Sequence, residues 1–262
     1  MGRFNDASKA QKSICAALAI AAFILLWFFA TNGTNLGVVL AGPVEVFRKF
    51  FVSFVQPLGT HTIPGHILWS LSRVMVGFLA GSALGIVLGV TMGWYRIIDA
   101  IFRPIYEMIR PIPPIAWIPL AILWFGLGEV TKYFLIFLAA FGNVTMNAYA
   151  GVKSVDPVLI GAAKMLGASD RRVFTSIVLP ACVPHIFAGL QIALGSAWAT
   201  VVAAEMVRSS EGVGWVIITG QDTNNSVQIL VGIIAVGAIG YLLAILMRGI
   251  EAKLCAWSER GK

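Results

Sequence analysis

Charge is what this sequence has least of. Only 12% of its 262 residues are Asp, Glu, Lys or Arg, 58% are hydrophobic, and the mean hydropathy is +0.86. A soluble domain carries about a quarter of its residues charged, so an ordinary soluble globule is excluded. Cysteine is almost as scarce: Cys15, Cys182 and Cys255 form no C-x-x-C pair and no metal-ligand spacing, which argues against a disulfide framework and against a metal site. The only histidines, His61, His66 and His185, lie near the ends of apolar runs with no catalytic partner at useful spacing, and no role is assigned to them. Intramembrane acid–base or nucleophilic chemistry therefore has no constellation to work with. The excess of seven positive charges is split among short loops, which suits membrane orientation and not nucleic acid.

What the chain has instead is apolar runs of about 20 residues, the length that crosses a hydrocarbon core of about 30 Å. Backbone polar groups in lipid must be paired within their own segment, so these runs are expected to be helices of one all-α polytopic membrane domain spanning 1–262. The first run, 14–30, is too long for a signal peptide and lacks a cleavage site after it. Residues 43–55 put aromatics on one face and suit a helix lying in the interface. The second run, 67–94, carries Gly77, Gly81, Gly85, Gly89 and Gly93 every four residues, which lets another helix approach closely, whether for tight packing or as a rocking surface. In the third, prolines 104, 111, 113, 114 and 119 forbid one regular helix and predict a kink or unwinding near 110–114. Three more spans follow at 133–152, 182–207 and 227–249.

Between the fourth and fifth spans lies a polar stretch, 156–180, shaped like two short helices with a corner. Asp156 is placed to cap the first and Pro157 to occupy its first position. Gly167 is placed to close it, Ser169 or Asp170 to cap the second, and Leu179-Pro180 to end that one. Six spans put both termini and this elbow on one side. That side holds 13 of the 19 Lys and Arg residues, which assigns it to the cytoplasm.

The elbow carries a resemblance. Ala162-Ala163, three residues, Gly167, nine residues, Ile177, one residue and Leu179-Pro180 resemble the "EAA" loop of binding-protein-dependent ABC importer permeases, with Gly161 where that family has glutamate. The patterns R-P-I-P-P-I-A-W-I-P-L at 110–120, W-F-G-L-G-E at 124–129, A-G-V-K-S-V at 150–155, G-L-Q-I-A-L-G-S-A-W at 189–198 and V-A-A-E-M at 202–206 are similar to its sulfonate, taurine and nitrate branch, with taurine permeases nearest. The resemblance implies the type I importer permease fold, with 1–66 an N-terminal span plus interfacial helix, 67–250 the core unit, and a cytoplasmic coupling helix between spans four and five. It also implies a second copy of this chain, two copies of a cytoplasmic ABC ATPase that bind the ATP and Mg, and a periplasmic substrate-binding protein, with no cofactor in this chain. Gly161, Ala162, Ala163, Gly167, Ala168, Ser169 and Asp170 become the candidate ATPase contacts.

Ionisable groups within spans mark the candidate substrate pathway. Glu107 and Arg110, three residues apart, either pair on one face or leave Arg110 free at the proline break to meet an anion. Glu205 either gates the outer end of the fifth span or pairs with Arg208, and Arg73 is the remaining intramembrane charge. Asn143, Thr145 and Asn147 either line a path or join helices, and Trp117, Trp124 and Trp198 either shape a cavity or pack. An ion-coupled secondary transporter is the competing reading. It would place acidic groups at mid-depth, whereas Glu107 and Glu205 sit nearer the span ends.

Overall fold

The computed structural model describes residues 9–255, so Arg3, Arg260 and Lys262 of the charge count lie outside the described residues. The chain is all-helical, with one isolated bridge, Leu58 to His61. Helix α1 (Lys9–Thr31) is followed by one turn, α2 (Leu36–Val39), and by α3 (Pro43–Val52), which starts on Pro43 and buries Pro43 and Val46. The interfacial helix therefore stops three residues short of the expected 55. The outer end of α1 is anchored through the Trp27 indole, which donates to the Ala41 carbonyl at 3.1 Å. Most of its remaining surface is exposed.

Helix α4 (Ile63–Trp94) is 32 residues long, about 48 Å at 1.5 Å per residue, so its ends project past the hydrocarbon. Its glycine stripe meets α7 (Glu129–Lys153) along its whole length. A Cβ on Gly77 would lie 2.6 Å from Ile136, on Gly81 2.6 Å from the Phe137 carbonyl, on Gly85 3.1 Å from the Phe141 carbonyl, and on Gly93 2.5 Å from Val152. Both residue numbers rise together, so the two helices are parallel. The chain must then recross the membrane between them, and the third span does so in two pieces. These are α5 (Arg96–Ile109) and, after a 3-10 turn over Pro114–Trp117, α6 (Ile118–Phe125), bent by 85° at residues 110–113. Prolines 111, 113 and 114 remove backbone donors, and Pro113 ahead of Pro114 is extended, while Arg110 ahead of Pro111 stays helical. Pro104 is carried inside α5, and Pro119 falls in the first turn of α6, where its missing N–H costs nothing.

Beyond α7 come α8 (Pro157–Met165), α9 (Asp170–Val173), and α10 (Leu179–Val207), which runs antiparallel to α7. Gly189 packs on Asn147, and Gly151 on His185, near the inner ends of both. The expected break at Leu179-Pro180 is absent. Residues 174–178 instead form one π turn, in which the Leu179 N–H reaches back five residues to the Phe174 carbonyl, and α9 runs through it into α10. The wider turn re-pairs the ladder beside Pro180, so the elbow's second arm is the first part of the fifth span. A ten-residue helix that sequence reading did not anticipate, α11 (Val213–Asp222), precedes the last span, α12 (Ser226–Leu254). Among the described residues five helices are long and apolar enough to span, and the bent pair makes six. The elbow, the end of α4 and the end of α12 share one face of the bundle; α3, α11 and the start of α7 share the other.

Candidate functional site

The elbow is built as its sequence dictates. The Asp156 carboxylate accepts from the Val158 N–H at 2.8 Å, and the Ser169 hydroxyl from the Arg172 N–H at 3.4 Å. Between them Gly167 takes φ +84°, the Ala168 N–H bonds the Ala163 carbonyl at 3.0 Å, and the Gly167 N–H bonds the Lys164 carbonyl at 2.9 Å. This pairing satisfies the helix's last carbonyls and fixes the corner. Lys164 and Asp170 pair across it at 2.8 Å. Ile160 and Ala163 face inward onto Val152, Val155, Val178 and Cys182, which ties α8 to the ends of α7 and α10. Outward, Val158, Leu159, Met165 and Leu166 are bare, Leu166 at 89% exposure. A Cβ at Gly161 or Gly167 would meet nothing within 4 Å. The corner is rigid, and its outer surface is apolar and uncovered.

At mid-depth the candidates separate. Tyr106 donates its hydroxyl to the carbonyl of Gly142, the middle of α7, and Trp117 packs with Ala121 and Leu135 nearer the outer end. Arg110 lies between these levels, exposed, its side chain without a hydrogen bond or ion pair among the described residues. Of the two alternatives for Glu107 and Arg110, the pair does not form. Glu107 lies one turn from Arg103 on the helix, and the two pair at 2.8 Å; after Arg110 the break turns the chain away. Asn143, Thr145 and Asn147 bond the carbonyls four residues back, 2.7–2.8 Å away, and Asn147 packs on Gly189. Trp198 is buried and donates to the Val236 carbonyl at 3.0 Å, joining α10 to α12. Trp124 meets Phe125 and Phe134 edge-on.

The largest concentration of polar contacts sits at the other end of the bundle. Arg73, 1% exposed, grips Glu129 with two nitrogens at 2.6 and 2.8 Å and Glu205, 0% exposed, with a third at 2.8 Å. It also donates to the Glu211 carbonyl at 2.9 Å. Lys132 holds Glu129 at 2.8 Å and Ser209 at 3.0 Å. The second oxygen of Glu205 accepts from the Gly214 N–H at 3.0 Å, and Ser70 donates to its carboxylate at 2.9 Å while accepting from the Val213 N–H. His66 accepts at Nδ1 from the Gly212 N–H at 3.1 Å, which fixes the tautomer that donates from Nε2 to the Leu58 carbonyl at 2.8 Å. Two cations and two carboxylates thus pin the 208–214 loop to α4 and α7.

Glu205 therefore pairs with Arg73, and Arg208, the partner one alternative offered it, is exposed. Sequence reading named Arg73 but set Glu129 and Lys132 outside the span and gave His66 nothing. The signal was present: His66, Ser70 and Arg73 fall at i, i+4 and i+7, one polar face of an otherwise apolar helix, continuous with the glycine stripe.

Parallel spans knitted by glycine, a broken return span and a capped polar corner define the permease architecture of type I ABC importers. A chain of the MetNI methionine ABC transporter in an inward facing conformation matches with TM-score 0.56 over 85% of this chain and 99% of that one, at 17% identity, a likeness of fold alone. The profile of the family described as binding-protein-dependent transport system inner membrane component matches residues 81–254, and the chain belongs to that family. A probable ABC transporter permease protein of Brucella abortus (strain 2308) is 41% identical over 234 residues, 89% of this chain and 91% of that protein. The taurine transport system permease protein TauC of Escherichia coli (strain K12) is 37% identical over 232 residues, 88% of this chain and 84% of that protein. The chain is an ABC importer permease of the taurine, sulfonate and nitrate group.

Proposed function

We propose that this chain is the membrane half of an ATP-driven importer that brings a small organic sulfonate, taurine foremost, into the cytoplasm by alternating access. The observation that carries the reading is Arg110: an exposed arginine at mid-depth, unpaired among the described residues. Facing lipid, it would be among the costliest groups in the bundle. Facing a second copy of this chain across the proline break, it lines a path suited to a compact anion, since a guanidinium matches sulfonate, carboxylate or nitrate oxygens with paired donors.

The bare outer surface of α8, with Gly161, Ala162, Ala163, Gly167, Ala168, Ser169 and Asp170 around its corner, is the contact for a cytoplasmic ATPase. Two copies of that ATPase bind the ATP and Mg, and no cofactor is held here. A periplasmic binding protein delivers the anion at the opposite face. The excess of Lys and Arg on the elbow side supports a cytoplasmic elbow and cytoplasmic termini. The permease itself performs no chemistry.

Proteoliposomes holding this chain, its ATPase and its binding protein test the reading. Labelled taurine is expected to enter only with ATP, and Arg110→Leu is expected to raise the apparent KM about tenfold, the effect of one charge-assisted contact. Uptake without ATP refutes the mechanism. Full uptake by the variant returns Arg110 to a structural role.

A further inference from the structure

Helices α10 and α12 cross where Trp198 bonds Val236 and a Cβ on Gly240 would lie 3.2 Å from the Trp198 ring. From there toward the elbow side they splay, leaving a groove of about 310 Å³ between them. Leu243 and Met247 wall one side of it, and its open edge is formed by the exposed residues Ile192, Gly195 and Ala244. Gly195 widens it, because nothing stands within 4 Å of where its Cβ would be.

The elbow-side end of this apolar groove is closed by Gln191 and Arg248. The Gln191 amide is taken by the Glu251 carboxylate. Arg248 is exposed, donates only Nε, at 3.3 Å to the Ala244 carbonyl of its own helix, and pairs with no carboxylate among the described residues. Its two terminal nitrogens have no hydrogen-bond partner among the described residues. From Gly240 to Arg248 is eight residues, about 12 Å of helix. Gln191, level with Arg248, lies two residues from Gly189, which packs on Asn147 about 9 Å before α7 ends. Gln191 lies outward of Gly189, so the groove straddles mid-depth and ends about 12 Å short of the inner end of α7. It ends on a guanidinium unpaired with carboxylates among the described residues, on a side chain long enough to reach toward the elbow-side headgroups.

We infer that this groove is a binding site for one anionic phospholipid of the elbow-side leaflet, with an acyl chain between α10 and α12 and the phosphate on Arg248. Arginine binds phosphate with two parallel donors, and basic pockets between spanning helices favour anionic headgroups. The occupant fills the space that α10 and α12 leave open beside the Met247 and Leu243 packing on Leu194 and the Gln191–Glu251 contact, and so braces the last span. The site is separate from Arg110 and does not depend on the identity of the transported anion.

Phosphatidylglycerol with a photoreactive acyl chain, in phosphatidylcholine vesicles holding the assembled complex, is the test. Labelling is expected to concentrate on peptides covering 188–198 and 240–250, above that of the lipid-facing helix α1. Unlabelled phosphatidylglycerol should compete about tenfold better than phosphatidylcholine, and Arg248→Gln should lower groove labelling about tenfold, the factor one charge-assisted hydrogen bond supplies. Gly195→Leu, which fills the groove without touching Arg248, should abolish it while leaving α1 labelling unchanged. Equal labelling of the groove and α1, unmoved by either variant, overturns the site in favour of ordinary boundary lipid. Absence of label, together with efficient disulfide cross-linking between two copies of the Ile192→Cys variant, overturns it in favour of a second copy seated there. Loss of label to free inorganic phosphate overturns the lipid assignment.

Discussion

Replacing Arg73 with leucine removes one side chain from between two carboxylates. Four hydrogen bonds go with it, two to Glu129, one to Glu205 and one to the Glu211 carbonyl. Glu129 keeps Lys132 and is about two-fifths exposed, so much of its loss is met by water. Glu205 has no such relief: fully buried, it is left with Ser70 and one backbone N–H. Breaking a buried pair in this way costs about 3–5 kcal/mol, mostly because the remaining charge is uncompensated. For a chain of this size that corresponds to a fall of about 10 °C in apparent melting temperature. The assay is thermal loss of the monodisperse peak in detergent, with Glu205→Gln and Arg73→Leu/Glu205→Leu alongside. The glutamine leaves Arg73 gripping Glu129, so its cost is about 1–3 kcal/mol. The double variant removes the stranded charge together with its partner and is expected to melt above Arg73→Leu. If Arg73→Leu melts within about 2 °C of the parent, or the double variant melts lower than the single, the network is not what holds the outer end together.

Other outcomes follow from geometry already described. Gly167→Val forces a β-branched residue to φ +84° in open space, a local cost of about 1–2 kcal/mol that leaves the bundle folded; ATP hydrolysis should continue while uptake falls, and intact uptake would remove the corner from the coupling path. Gly89→Leu drives a side chain into the Thr145 carbonyl of the parallel helix and should cost about 1–3 kcal/mol or more. Gly142→Ala, with nothing within 4 Å, should be neutral or stabilising by up to about 1 kcal/mol in the same melt. Gly212→Ala meets both φ +112° and the Glu205 carboxylate, so it should lower stability by about 1–3 kcal/mol from backbone strain alone, with more from the clash; a silent variant would refute the tight closure of the 208–214 loop.

Local grammar carried most of the fold. Spans are legible because lipid leaves a helix no alternative, and the corner at Gly167 because cap, proline and glycine each act within a few residues. The proline break was likewise written in the residues that make it. The rest depended on pairing across distance. Whether Glu129 belongs to a loop or to the first turn of α7 cannot be read without Arg73 beside it, and Arg73 reaches Glu205 across 132 residues of chain. Leu179-Pro180 misled for a related reason: proline ends an isolated helix, but a single π turn absorbs it where the flanking faces are buried against α7. At Glu107 two short-range partners compete, and Arg103, four residues back, takes the carboxylate at 2.8 Å.

These contacts divide the bundle by stiffness, and the division bears on how a push at the elbow reaches the pathway. Helices α4 and α7 touch through glycines over about four turns, at distances that leave no room to slide. Their outer ends are clamped with α10 by Arg73 and Lys132, their inner ends by the cluster around Val152, Val178 and Cys182. Close-packed elements of this kind transmit displacement without absorbing it. The bent pair differs: α5 and α6 expose much of their surface, meet at 85°, and are held at the break by little besides Tyr106 and Trp117. Force applied at α8 should therefore turn α4, α7 and α10 as one body against the broken span, so that the geometry around Arg110 changes while the glycine seam does not. Disulfide trapping separates the cases. Cysteine pairs placed across the α4–α7 seam should cross-link equally with and without nucleotide, and pairs between residues 110–113 and α7 should not. A nucleotide-dependent seam would mean that the three helices slide past one another, and the clamp at Arg73 would then have no mechanical part.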